Sequence, residues 1–178
     1  MNQIIREVIE KVYVRHDFEF FISSCTKKNR FIDELLEKLK VKCEKVEIHS
    51  SALEPAFEIR LTVNTTSPKE IKIVYTSILT ISKIVDCFYL QHEFELENPD
   101  MDRMDYYLDS FRDEPYNKQQ FRIEEIIIDF LKNKGYFRLS YSETEEICPQ
   151  IRKFRDEQDS QMTVGNAIFM DFWGLCNE

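Results

Sequence analysis

Between Ile71 and Glu97 the chain reads IKIVYTSILTISKIVDCFYLQHEFELE, and apolar and polar side chains trade places along most of it. Phe88, Leu90, His92, Phe94 and Leu96 fall on one parity, and Tyr89, Gln91, Glu93, Glu95 and Glu97 on the other. That is the period-2 pattern of a strand with one buried and one wet face. Upstream, Ile71, Ile73 and Tyr75 alternate with Lys72, Val74 and Thr76, in β-branched and aromatic residue types that predict a second strand. The nearly continuous apolar run Ile78–Val85 predicts a bend or bulge between the two, with no Asn-Gly or Asp-Gly to mark the turn. The cleanest alternation is Phe57, Ile59, Leu61 and Val63 against Glu58, Arg60, Thr62 and Asn64, followed by a turn signal at Thr65, Thr66, Ser67 and Pro68. Strands joined this closely predict an antiparallel meander over residues 57–97, because a parallel return needs a crossover of about a dozen residues or more.

Helical spacing brackets the meander. Ile4, Ile5, Val8, Ile9 and Val12 predict an opening amphipathic helix. Phe18, Phe20 and Ile22 alternate with Glu19, Phe21 and Ser23, which favours a first strand. Phe31, Ile32, Leu35, Leu36 and Leu39 form one stripe of a second helix, with Thr26 or Asn29 as its cap, and Val46 and Ile48 predict a short strand after it. Asn98 and Pro99 read as cap and first turn of an acidic helix through Met101, Met104, Leu108 and Phe111, closed by Pro115.

A longer helix is predicted from Lys118 to Lys134, deep against the sheet because its apolar residues cover most of its circumference. Gly135 is placed to end it as a left-handed cap. Tyr136 to Tyr141 predicts a returning strand, Ile151 and Phe154 a brief polar helix, and Arg155 to Gln161 an exposed connector. Val164, Ile168, Phe172 and Leu175 predict a docked carboxyl-terminal helix running to Cys176. Strands in the middle with helices before and after them define an α+β class, a central mainly antiparallel sheet with N-terminal and C-terminal helices packed on it. With no Pro/Gly/Ser-rich linker, the expectation is a single domain over 1–178.

Composition narrows the chemistry. The chain holds 3 glycines in 178 residues, so the glycine-rich phosphate cradles G-x-G-x-x-G and the P-loop are absent, as is the G-x-S-x-G nucleophile elbow. The 5 cysteines are scattered without a CxxC pair, which indicates neither a disulfide framework nor a zinc ribbon. Neither a metal nor a cofactor is expected. The opening MNQIIREVIEK carries charge inside its apolar run, and no segment approaches the ~20 apolar residues of a membrane span, so a soluble cytoplasmic protein with no membrane partner is expected. The short basic clusters Lys27, Lys28, Arg30 and Arg152, Lys153, Arg155 sit in an acidic chain, which argues against nucleic-acid binding.

Charge position is the sharpest feature. From Glu93 to Glu114 nine acids stand against Arg103 and Arg112, a net of −7 in a chain whose total is −9. Asp102, Asp105 and Asp109 would share one helical face, beside Tyr106, Tyr107, Phe111 and Tyr116 and the outward Glu93 and Glu95 of the last sheet strand. A solvated face is the plainest account of such a block. A docking surface for a basic protein is the functional one. Asp100, Asp102 and Asp105 resemble part of a calcium loop, but the required glycine and the terminal bidentate Glu are missing, and mimicry of nucleic acid would need the acids spaced like phosphates.

The functional expectation is a small protein-binding module that docks on and occludes a basic partner through Asp102, Asp105, Asp109, Tyr106, Tyr107, Glu93 and Glu95. An immunity protein neutralising a toxin such as a nuclease fits that physics. The alternative is a small hydrolase or transferase at His92, which requires an acidic neighbour from a distant element and an opening to a cleft. Oligomeric state is not legible in the sequence, and self-association through an open sheet edge is a third reading.

Overall fold

The computed structural model describes residues 1–27, 31–49, 54–63, 72–97, 108–149, 151, 162–171 and 174–176. The class is α+β. Helix α1 (Gln3–Ile9), a π-helical turn (Glu10–Val14), α2 (Phe18–Cys25) and α3 (Phe31–Lys40) precede strands β1 (Lys45–His49), β2 (Ala56–Val63), β3 (Lys72–Ser82), β4 (Cys87–Glu97) and β5 (Leu108–Arg112). Helix α4 (Lys118–Asn133), strand β6 (Phe137–Leu139) and the short helices α5 (Tyr141–Thr144) and α6 (Val164–Phe169) follow.

The predicted meander is present: β1-β2-β3-β4-β5 lie side by side and every neighbouring pair is antiparallel. The turn between β3 and β4 falls at Lys83–Asp86, inside the apolar run that hid it. Strand β6 pairs with β4 in parallel, through Cys87↔Phe137 to Tyr89↔Leu139. One edge of β4 is therefore shared, with β6 along its first residues and β5 from His92 to Leu96.

The period-2 pattern sorts the sheet into two faces. Ile59, Leu61, Val63, Leu79, Ile81, Phe88 and Leu90 bury against Ile32, Leu35, Leu36 and Leu39 of α3 and Ile123, Ile127 and Leu131 of α4. Removing that apolar area from water at ~25 cal/mol per Å² is the main term holding the layers together. A second apolar cluster lies at the β3–β4 turn, where Ile84, Val85 and Cys87 meet Ile5, Ile9, Val12, Phe21, Val164 and Ile168. The opposite sheet face carries Glu58, Arg60, Thr76, Thr80, Tyr89, Gln91, Glu93 and Glu95, and α5 and α6 wall only its β3–β4 turn end.

Several expectations change. Phe18–Ile22 is helical, because Asp17 caps the segment by accepting the Phe20 N–H at 3.0 Å and buries Phe21 and Cys25 four residues apart. Thr26 ends α2 and does not begin α3, and Asn29 lies outside the described residues. Leu108 to Phe111 is strand, since the β4 edge beyond β6 takes it up as a fifth antiparallel partner. The predicted strand at Tyr136–Tyr141 shortens, because Ser140 caps α5 in a capping box with Glu143.

The carboxyl-terminal helix stops at Phe169: Met170 is extended, and the Asp171 carboxylate takes the N–H groups of Leu175 and Cys176 at 2.8 Å each. That side chain supplies the backbone with an alternative to helical bonding. Helix α4 buries one face, while Phe121 is exposed and Ile126, Ile128 and Phe130 are half-buried, so it is less enclosed than its composition implies. Ile151 is buried outside any helix. The turn at Thr65–Pro68, the cap pair Asn98 and Pro99, Phe154 and the connector Arg155–Gln161 lie outside the described residues.

Gly135 follows α4 at φ +89°, with nothing within 4 Å of where a Cβ would stand. Gly135→Ala meets only backbone strain, and chemical denaturation should show a loss of about 1–2 kcal/mol.

Candidate functional site

Glu93 and Glu95 leave β4 on the open sheet face, and the register places Phe111 opposite Glu93 and Asp109 opposite Glu95 on β5. These four side chains, with Val74 and Thr76 of β3, line a cavity of about 430 Å³. Like charges directly across a ladder repel, and Glu95 and Asp109 stand in that relation. Phe111 is 52% exposed beside them and packs edge-to-face on Tyr141 at 5.7 Å. On the reverse side Phe94 packs on Tyr116 at 4.8 Å, and the Arg112 guanidinium lies 4.0 Å over the Tyr116 ring. The cation among these groups is thus occupied with an aromatic ring and with the carbonyls of Glu114 and Pro115.

Gln120 ties this end of the sheet to α4. It is fully buried, donates Nε2–H to the Thr76 and Glu93 carbonyls at 3.1 Å each, and accepts the Tyr116 N–H at 2.9 Å. Asn117 caps α4 through the Gln119 and Gln120 N–H groups. Gln120→Leu keeps the volume and strands the Tyr116 N–H and two carbonyls. Urea unfolding should show a loss of about 1–3 kcal/mol with the slope unchanged.

A second cavity, of about 800 Å³, lies on the same face toward the β3–β4 turn. Its floor is His49, Glu58, Thr80, Tyr89 and Gln91, and its wall includes Glu54, Thr144, Glu145, Asn166, Phe169, Met170 and Asp171. Glu58 is ion-paired to Arg60 at 2.9 Å, and Tyr89 donates to Asp113 at 3.2 Å. Burial, then the Asp113 charge, raise the Tyr89 phenol above its ordinary range, so it remains a hydrogen-bond donor. Among the described residues, the two cavities together are lined by seven carboxylates and by no lysine or arginine side chain.

Of the residues expected from sequence, Glu93, Glu95 and Asp109 are brought together. Asp102, Asp105, Tyr106 and Tyr107 lie outside the described residues. The helical face proposed for the three aspartates does not hold for Asp109, which is in a strand. Sequence reasoning missed Glu54, Glu58, Glu145 and Asp171. Glu58 was legible from the outward parity of its strand; the others come from loops that only the fold brings to this face.

His92 points into the opposite layer at 0% exposure. Its Nδ1 shares a 2.9 Å hydrogen bond with Ser77 Oγ, directly across the ladder, and its Nε2 lies 3.9 Å from Glu124 Oε1, beyond hydrogen-bond distance. Glu124, on α4, pairs with Arg138, which also reaches the Leu90 and Asp113 carbonyls at 3.4 and 2.8 Å. That arginine fills the seam where β4 passes from β6 to β5. His92 therefore has the acidic neighbour the catalytic alternative requires, without the opening to a cleft.

Among the described residues, no group of three or more His, Cys, Asp or Glu is placed to hold a metal ion, and no helix is long and apolar enough to cross a membrane. The fold and this face define an α+β protein with an open, carboxylate-lined sheet surface. No family model, curated protein or solved structure matches the chain.

Proposed function

We propose that this protein is a protein-binding module that seats a cationic surface of a partner protein on its open sheet face and occludes it. The observation that carries the reading is the lining of the two cavities on that face, among the described residues seven carboxylates without a lysine or arginine. Concentrated charge of one sign steers association and selects partners of the other sign. Exposed Phe111 and Tyr141 supply apolar area at the acidic end, as aromatic anchors do in protein interfaces. Neutralising a toxin such as a nuclease fits this chemistry, because a surface that grips phosphates is itself cationic.

The test is affinity capture from the source cell, with the immobilised protein eluted by a salt gradient, run beside a variant carrying Glu58→Gln, Glu93→Gln and Asp109→Asn. The expected result is one stoichiometric basic protein, released at moderate salt and lost by the variant. Equal capture by the variant, at the same salt midpoint, overturns the reading.

A further inference from the structure

We propose that strand β1 is a self-association edge, to which a second copy of this chain adds its own β1 antiparallel, about a twofold axis at Val46. Strand β1 begins the sheet, and among the described residues it pairs with β2 alone. The outer side of an edge strand presents N–H and C=O groups that another strand can take up. Its side chains are only partly covered. Val46 and Ile48 lie opposite Leu61 and Ile59, which are 0% exposed, yet Ile48 itself is 50% exposed. An apolar side chain of core parity is thus left open at the edge. Lys45 and Glu47 stand on the other face, paired at 2.7 Å while their side chains stay 64% and 40% exposed.

Charge order selects the occupant and the register. Residues directly opposite in a ladder share a face, so the twofold axis of such a pair falls on a residue and not between two. An axis on Lys45 or on Glu47 sets a like charge opposite itself. An axis on Ile48 joins only Glu47 to His49 and carries Lys45 past the end of the strand. On Val46 it sets each Lys45 opposite the Glu47 of the other copy, so that four charges alternate in sign across the junction. On the other face the two Val46 side chains meet, and each Ile48 falls diagonally beside the Val46 of the second copy. Lysine on an edge ordinarily discourages pairing; here the second copy brings the carboxylate that receives it. The far edge strand, β5, offers no such match, because an axis on Ser110, Phe111 or Asp109 sets Asp109 opposite Phe111, Asp113 or itself. The junction goes beyond the binding of a basic partner and does not depend on it, since it uses the edge of the sheet and leaves the carboxylate-lined faces of both copies on one side.

The experiment is sedimentation equilibrium of the full chain in dithiothreitol, from about 1 µM to 1 mM, the range of a weak to moderate homodimer. The expected result for the unmutated chain is a mass that rises with concentration from one chain toward two. Lys45→Glu and Glu47→Lys each set like charges opposite one another, and each should raise the dissociation constant roughly 10- to 100-fold. An equimolar mixture of the two folded variants restores both attractive pairs, and with them the dimer. A chain carrying both changes keeps the pairs in exchanged order, so it associates with itself and excludes the unmutated chain, which decides the matter even where a single variant fails to fold. A single-chain mass throughout, association of Lys45→Glu equal to that of the unmutated chain, no recovery in the mixture, or a doubly changed chain that stays single overturns the proposal.

Discussion

Replacing Arg138 with Met destabilises the fold by about 3–5 kcal/mol at neutral pH, the range for stripping one partner from a buried ion pair. The Glu124 side chain is 10% exposed and that of Arg138 25%, so solvent does little to compensate either. Removing Arg138 also strands the Leu90 and Asp113 carbonyls at the seam of β4, β5 and β6. Burial by itself would push the Glu124 carboxyl up, but His92 and Arg138 outweigh it and hold it below its ordinary value of 4.5. In the native protein that contribution is therefore present above the unfolded value and is lost as pH falls through the folded one. In Arg138→Met the arginine's share of that lowering is lost, so the folded value moves up and the buried carboxylate is less favoured. The penalty is then full at neutral pH and disappears once both states are protonated. Urea unfolding should show a larger gap between the two proteins at pH 7 than at pH 4, and Glu124→Gln added to Arg138→Met should recover part of the loss. An equal gap at both pH values would remove the ion pair from the account.

Charge reversal on the open face has the largest expected effect on binding. Glu93→Lys with Asp109→Lys changes the local charge by four units at the smaller cavity, and association with a cationic partner should slow by roughly 10- to 100-fold at low salt. The difference should shrink as salt rises, because exposed charges are screened beyond about 10 Å at 0.1 M. Stopped-flow association across a salt series checks this. Stability should change little or improve, since the Glu95–Asp109 repulsion is relieved.

What the sequence disclosed depended on the range of the interaction. Strands β2 to β4 were plain because alternation is a local consequence of one buried face, and α3, α4 and the Gly135 cap were plain for similar reasons. The helix at Phe18 was misread because Phe18, Phe20 and Ile22 alternate, although Asp17 stood ready as its cap. The fifth strand was misread because Met104, Leu108 and Phe111 fit helical spacing, while an open edge of β4 decided the outcome. Nothing local specifies that β6 returns in parallel. The outward parity of Glu93 and Glu95 was legible, whereas the convergence of Glu54, Glu58, Glu145 and Asp171 depends on α5 and α6 walling the sheet.

The most direct measurement is carboxylate footprinting of the captured complex, by carbodiimide coupling to an amine followed by peptide mass spectrometry. Protection of Glu58, Glu93, Asp109 and Glu145, with Glu34, Glu37, Glu125 and Asp129 labelled as in the free protein, is the predicted result. Protection of the acids on α3 and α4, with the open sheet face labelled as before, would contradict the account.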